Sequence, residues 1–412
     1  MKLATSLTLG LALALGTTGL VLSAPAQAKK EKAPAGPTVQ LSKEYRVAVI
    51  PVDADIKAGK LEGISARLDA LSQFQAPDER YTTAALRYAA AKTSNNTAEL
   101  RKGIAGMIDS GSASITNGMQ LNVAAGQMAF NAKDYAEAAA RLNEAIRLGN
   151  KDGDTFIILA ESNFQTGKTN EGLAFAEQAV AAKQAAGQKA PEDWYRRALS
   201  VAFKAKSNTQ IAKWSRLQLA AYPTAENWRT SLVLYRDGAK LPFDQGIDLF
   251  RLMRVTKSMA GERDFYEYAT LTAEHGLPGE AKAILEEGMA SGAISKTNKT
   301  INETLASANS KVAGDQASLG AAERQANSAA TGKPAAATAD AFMGYGQDAR
   351  AVALYKVALQ KGQVDADTIN TRMGIALARQ GMTAEAKQAL GLVTGARSDI
   401  AKFWLTWLNL KG

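Results

Sequence analysis

The chain has 412 residues, 46% of them hydrophobic and 22% charged, proportions of a globular protein large enough for two or three domains and not of a disordered tail. It has no cysteine and one histidine, His275. That excludes disulfides, thiolate metal sites, cysteine nucleophiles and histidine-rich zinc sites, and any Ser-His-Asp triad has to be built on one residue. The formal charge of +9 is dispersed in pairs such as Arg196-Arg197, as on a solvated surface.

Residues 1–28 read as a secretory signal peptide: Lys2, an apolar run from Leu3 to Leu22, and Ala26-Gln27-Ala28 as a small-x-small cleavage site. The alternative is a retained anchor, since the run is long enough to cross a bilayer; Gly10, Gly16, Gly19 and the cleavage triplet favour removal. Loss of Lys2 with this segment lowers the charge to +8. The expected product is periplasmic, with no stable membrane span after cleavage, and the absent cysteine excludes a lipoprotein. Export makes nucleic acid an unsuitable partner. Residues 29–57 are expected to be a linker, Lys/Pro/Ala-rich at first and then carrying a short extended segment, Tyr45 to Val52 (YRVAVIPV).

From about residue 58 the chain reads as helices of three to four turns separated by short turns. N-terminal helical pairs are expected over 58–116 and a repeat block over 117–294. Within that block residues 126–149 and 160–183 align without a gap. Gly126 falls on Ala160, Phe130 on Phe164, Ala138 on Gly172, Leu142 on Ala176 and Ala145 on Ala179, each pair 34 residues apart. Trp194 and Trp228 repeat that interval, and residues 262–290 carry Phe265, Ala269, Gly276, Ala281, Leu285 and Gly288 in the same order. Residues 295–338 break the pattern and predict a polar Ala/Ser-rich helical insert ending in a flexible hinge, ATGKPAAAT. The repeat resumes over 339–412, with Ala351 and Ala386 35 apart. The chain closes on DIAKFWLTWLNLKG, read as a capping helix over the last repeat, with an exposed aromatic docking patch as the alternative. Pro77, Pro191, Pro223, Pro242, Pro278 and Pro334 fall at proposed junctions, where no backbone donor is lost.

Two antiparallel helices of this length plus two turns use close to 34 residues and cannot bury their apolar faces alone, so successive pairs must stack. In this spacing and in its alternation of small and bulky residues the chain resembles the tetratricopeptide repeat (TPR) family, best over 119–183 and 367–394 and more weakly over 191–290. The family's aromatic at the first-helix start is missing at Asn122 and Ala335, and its closing proline is absent after Leu148, so the array is expected to be degenerate. Parts such as APEDWYRRAL look like exported repeat proteins of Gram-negative bacteria. The resemblance implies an all-α, right-handed superhelical solenoid of stacked helix-turn-helix units.

Catalytic constellations are not evident. His275 is expected to end a first helix before a turn glycine, gaining from the helix dipole and bonding a free carbonyl. The segment TGKTNEG lacks the first glycine of a phosphate loop and occupies an interhelix turn. Asp152-Gly153-Asp154 reads as a turn with an N-cap. Glu262, Asp264, Glu286 and Glu287 are the acids that could form a glycosidase pair, but soluble helices carry such acids anyway. No cofactor and no metal are expected, and the chain is read as not an enzyme.

What remains is the concave groove that the resemblance implies, lined by first-helix residues between the packing positions. Carried onto this sequence these are Gln127, Asn131, Glu161, Gln165, Tyr195, Arg229, Arg236 and Tyr266. Amide, aromatic and guanidinium groups suit an extended peptide. The leading expectation is a periplasmic scaffold for a protein or peptide partner, in envelope or export assembly. The alternative is an accessory that handles anionic exopolysaccharide or peptidoglycan. A third reading, a degenerate superhelical lytic transglycosylase, requires a lysozyme-like domain of non-repeat sequence, and no such stretch is present.

Overall fold

The structure is a computed structural model that describes residues 39–411. The signal segment and the linker as far as residue 38 lie outside the described residues. Among the described residues there are 20 α-helices and no strand, as expected for an all-α chain. The chain divides after Ala190 into two compact units, a break inside the 117–294 repeat block.

The first unit contains α1 (Lys43–Lys57), α2 (Ile64–Ala70), α3 (Pro77–Thr93), α4 (Thr97–Asp109), α5 (Gly118–Asn131), α6 (Tyr135–Arg147), α7 (Gly153–Gln165) and α8 (Thr169–Ala185). The pairs α3/α4, α5/α6 and α7/α8 are antiparallel hairpins, and α4 packs on α5 as α6 does on α7. Each hairpin turns through one residue in the left-handed region: Asn95, Lys133 and Gly167. Lys133 and Gly167 are 34 apart, so the repeat is a repeat of backbone geometry. Close approach explains the small residues. A Cβ on Gly126 would come within 2.6 Å of Leu142, and one on Gly172 within 2.4 Å of the Phe164 ring. In the next unit a Cβ on Gly374 would again lie 2.6 Å from Leu390, at the same 16-residue offset as Gly126 and Leu142.

The segment Tyr45 to Val52 corrects the sequence reading. It is not extended but lies within α1, whose N-cap Ser42 accepts from the Tyr45 amide. Tyr45, Val49, Val52 and Ile56 are buried while Val47 is 69% and Ile50 52% exposed. That pattern has the 3.6-residue period of a helix and not the alternation of a strand. The branched valines and isoleucine suggested an extended segment, but packing overrides propensity, and α1 accommodates Pro51 within the helix. Tyr45 donates to or accepts from Thr83 on α3 at 2.8 Å, and the Ser42 hydroxyl donates to Glu79 at 2.6 Å. Burial pushes the Tyr45 phenol up to about 12.

The second unit contains α9 (Glu192–Lys204), α10 (Asn208–Ala221), α11 (Ala225–Ala239), α12 (Phe243–Val255), α13 (Gly261–Glu274), α14 (Pro278–Ala290), α15 (Lys299–Ser328), α16 (Lys333–Gly344), α17 (Asp348–Lys361), α18 (Ala366–Arg379), α19 (Thr383–Gly391) and α20 (Ser398–Leu410). The hairpins α9/α10, α13/α14, α16/α17 and α18/α19 are closely paired. Pro278 and Pro334 occupy the first turn of their helices and Pro191 and Pro242 the N-cap position.

The 295–338 segment is helical as expected, and only its hinge differs. Its insert is one continuous helix of 30 residues, α15, packed on α14 and α16 through Ile301, Ala308, Leu319 and Ala326. The ATGKPAAAT stretch is not a flexible hinge, because α16 begins at Lys333 and the link is pinned on both sides. The Gly332 amide donates to Gly362 O at 2.9 Å, and a Cβ there would lie 2.2 Å from Ala358 O. The Lys361 ammonium donates to the carbonyls of Ala326, Asn327 and Ala329 at 2.9, 2.7 and 2.6 Å, closing the end of α15 where carbonyls lack helical partners.

The terminal helix α20 buries Phe403, Trp404 and Trp407. It covers α18 and α19 as a cap does, and it also packs on α10 and α12 at the start of the same unit. Trp404 Nε1 donates to Asp248 O at 3.3 Å, and the Arg216 guanidinium lies over the Phe403 ring and pairs with Asp399 at 2.9 Å. The second unit is thereby closed on itself by long-range contacts that no local sequence pattern announces.

Candidate interaction surfaces

The expected groove residues separate into three kinds. In the first unit Gln127 is half-buried on α5 and Asn131 exposed at its end. Glu161 and Gln165 share one face of α7, joined by a 2.7 Å hydrogen bond. In the second unit Tyr266 is half-buried, while Arg229 of α11 is engaged with Asp264 of α13 and Arg236 lies 3.2 Å from Glu267 and over the Phe250 ring. These two arginines tie one repeat to the next. Tyr195 is only 1% exposed, set edge-on against Trp214 and Tyr222. It is a core residue and is removed from the groove set, because its place on α9 turns it inward between hairpins.

Two of the clefts among the described residues are each larger than 600 Å³. The first, about 670 Å³, lies between α4, the start of α5 and α6 in the first unit, floored by Ile108, Ile115, Met119 and Leu148 and rimmed by Glu137 and Glu144. Asn122, 3% exposed, lines it. Its Nδ2 donates to Gly118 O at 2.8 Å, while its buried Oδ1 has no partner. An unpaired buried acceptor costs about 1–3 kcal/mol relative to a satisfied one, a local cost carried by the packing around Asn122. The missing family aromatic at Asn122 was the sequence signal for this position, and its meaning emerged only from the packing around it.

The second cleft, about 650 Å³, is inside the second unit, walled by α12, α13, α14, α18, α19 and α20 and the start of α17. Beside it lies a cluster of buried charge. Arg251 donates to Glu280 at 2.7 and 2.9 Å and to Asp248 at 3.0 Å, and all three are at most 3% exposed. Tyr268 donates to Glu280 at 2.5 Å. Asp248 is further held by Arg397, and Arg372 reaches Asp340 at 2.6 Å and Asp248 at 3.7 Å. Tyr355 donates to Asp340 at 2.6 Å. Burial opposes the Glu280 charge, but attraction and hydrogen bonds from Arg251 outweigh it and hold the carboxyl at about 2. Burial raises the Tyr268 and Tyr355 phenols far above their ordinary value. The cluster binds α12, α14, α16 and α18 to one another. Sequence reasoning missed it, because its members are scattered from residue 244 to residue 397.

The remaining acids are engaged separately. Glu262 accepts from Asn298 Nδ2 at 2.7 Å, buried Asp264 accepts from the Ala260 amide at 2.8 Å, Glu287 pairs with Arg254 at 2.7 Å and Glu286 with Lys282 at 3.7 Å. Asp152 caps α7 through the Thr155 amide at 3.1 Å. His275 is exposed at the end of α13, its Nδ1 3.1 Å from Leu271 O, with the turn at Gly276. Among the described residues no group of acids and histidine is placed to hold a metal ion, and no helix is long and apolar enough to cross a membrane.

No family model and no curated protein matches the sequence. Solved structures similar to this chain include a tetratricopeptide repeat protein from Parabacteroides merdae (14% identity, 71% of this chain and 99% of that chain, TM-score 0.26). Two others are the TPR2AB domain of yeast Sti1 in complex with pHSP90 (12%, 71% and 98%, 0.24) and yeast Tom70 (10%, 81% and 89%, 0.23). At these identities and TM-scores the likenesses carry no argument about partner or activity. The 34-residue register, the recurring left-handed turns and the glycine contacts inside several hairpins, among them α5/α6, α7/α8 and α18/α19, make the chain an all-α protein of repeated helical hairpins.

Proposed function

We propose that the protein is a non-enzymatic scaffold of the Gram-negative periplasm, which holds a protein or peptide partner on its first unit. The observation that carries this reading is the cleft of about 670 Å³ between α4, α5 and α6, where the apolar Ile108, Ile115, Met119 and Leu148 stand beside the charged Glu137, Arg141 and Glu144. An extended peptide suits this lining, since its side chains enter the apolar part while its N–H groups meet the carboxylates. Gln127, Asn131, Glu161 and Gln165, all in the first unit, are retained as partner-facing positions, whereas Tyr266 belongs to the second unit and is no part of this surface. Arg229 and Arg236 have to leave Asp264 and Glu267 to take part, which makes them poor anchors.

The test is affinity capture from envelope extract by the full chain, comparing wild type with Leu148→Glu and with Asn131→Ala/Gln165→Ala. Leu148 is 41% exposed, so the charge is tolerated by the fold and placed in the cleft floor. Loss of the captured partner with Leu148→Glu supports the cleft. Recovery of the same partner by every variant removes it.

A further inference from the structure

We propose that Asp78 is a positioning residue of the first-unit cleft, and that the N-terminal strap, residues 40–42, sets the shape of the cleft through it. This rests on the reading of that cleft as the partner site. The first turn of α3 places three consecutive polar side chains between two segments that do not otherwise follow one another in the chain. The Glu79 carboxylate, 4% exposed, accepts from the Ser42 amide at 3.0 Å and from its hydroxyl at 2.6 Å, and so holds the strap. Arg80 donates to the carbonyls of Asp109, at 3.2 Å, and of Ser110, and so holds the end of α4. Asp78 does both. Its Oδ2 accepts from the Gln40 amide at 2.6 Å, while its Oδ1 accepts from the Ser112 hydroxyl and, at 3.4 Å, from that of Ser114. The Gln40 amide and the Ser112 hydroxyl hold its carboxyl below the ordinary carboxylate range.

The segment gripped by Oδ1 becomes a wall of the cleft. Beyond α4 the chain turns at Gly111, with φ +72°, and reaches α5 without helix over residues 110–117. Three serines string that stretch together: Ser110 Oγ donates to Met107 O at 2.8 Å, the Ser112 amide to Ser110 Oγ at 3.2 Å and the Ser114 amide to Ser112 Oγ at 3.0 Å. Ile115 and Thr116, which follow at once, line the cleft. A Cβ on Gly118 would lie 3.5 Å from Ile115 and 3.7 Å from Leu148, so the two apolar side chains flank the same point. The side-chain hydrogen bonds that tie this stretch to another helix are those of Asp78 and Arg80, on α3, which does not itself line the cleft. The two oxygens of a carboxylate move as one rigid group. Without the amide at Oδ2 the side chain regains its χ freedom, and the bonds at Oδ1 must fix its orientation alone. Coupling of this kind is reciprocal, so a partner that shifts Ile115 and Thr116 also shifts the docking of the strap.

Because the chain has no cysteine, Thr116→Cys carries a single environment-sensitive dye on an exposed residue of the wall. Dye emission is measured in the full chain and in Gln40→Pro, which removes the amide donor, Gln40→Ala, which keeps it, Ser112→Ala, and Gln40→Pro/Ser112→Ala; amide exchange over residues 112–116 is followed in the two Gln40 variants and in Asp78→Ala. Gln40→Pro is expected to shift the emission and to accelerate the exchange about fivefold or more, while Gln40→Ala does neither. Glu79 still holds Ser42, so the melting temperature is expected to stay unchanged. The double variant is expected to shift the emission no further than either single change, because both act through one carboxylate. Asp78→Ala is expected to match Gln40→Pro or exceed it. The proposal is overturned if Gln40→Pro disturbs only the strap and α1, if Gln40→Ala acts as strongly, if the two emission shifts add, or if Asp78→Ala leaves residues 112–116 unchanged. Any of these results leaves the cleft as the partner site, which is tested by Leu148→Glu; failure of that capture in turn leaves this coupling standing, since no partner is needed to measure it.

Discussion

The charge cluster of the second unit makes Arg251→Met the most informative perturbation. Arg251 is 3% exposed and is the main counter-charge of Glu280, itself 2% exposed. Removing one member of such a pair strands a buried charge and costs about 3–5 kcal/mol. The same contact fixes a pH signature. The Glu280 carboxyl is lowered in the folded state from 4.5 to about 2. Its contribution is therefore fully present above the unfolded value and is lost as pH falls from near 5 through about 2. At 1.36 kcal/mol per pH unit the shift corresponds to about 3 kcal/mol. In Arg251→Met the burial term is opposed only by the Tyr268 hydrogen bond and the weaker attraction of Arg379, so the Glu280 carboxyl is expected to rise above its ordinary value and the sign to reverse: the variant gains stability relative to wild type as pH drops from 7 toward 4. Scanning calorimetry from pH 3 to 8 reads both effects, with a loss on the order of 10 °C at neutral pH for a unit of this size. Arg251→Met/Glu280→Met, which leaves Asp248 to Arg397 and Arg372, is expected to recover more than half of that loss. A pH-independent loss together with no recovery in the double variant refutes the reasoning.

Other outcomes follow from packing. Gly172→Ala drives a methyl into the Phe164 ring and Ala160 O and is expected to cost about 1–3 kcal/mol in chemical denaturation, while Gly314→Ala, with nothing near its Cβ, is expected to be neutral or slightly stabilising. Val52→Asp is expected to unseat α1 from α3, whereas Val47→Asp, at a position 69% exposed, leaves the melting temperature within a degree or two; equal effects contradict the helical assignment. Lys361→Met removes the donor shared by three carbonyls at the end of α15, so amide exchange over residues 329–332 is expected to accelerate before any global loss of stability appears.

The hairpins were legible in the sequence because their causes are local. A glycine at 126 or 374 faces a leucine 16 residues later, a turn residue recurs at 133 and 167, and prolines stand where a helix begins. Each leaves a trace at fixed spacing. The α1 segment was misread because its branched residues resemble a strand, and only the burial of Tyr45, Val49, Val52 and Ile56 against residues of α2 and α3 decides for the helix. Tyr195 was misplaced for a related reason: a family's groove positions are transferable only where the hairpins keep the family's rotation, and here α9 turns that side chain toward Trp214. The link before Pro334 looked flexible by composition, yet Gly332 is pressed against Ala358 and Gly362.

By itself, then, the sequence determined the helical class, the repeat register and the exclusion of cysteine chemistry, since each depends on residue type or short-range period. The tertiary structure decided the rest. It alone brings α20 back onto α10 and α12, gathers acids and arginines from residues 244 to 397 into one cluster, and leaves Asn122 and Asp348 with buried oxygens that lack donors. Such features depend on which long-range faces meet, and a 34-residue period specifies only the neighbour of each hairpin. Closure of the second unit rests on contacts about 150 residues apart in the chain, among them those of Arg397 with Asp244 and Asp248.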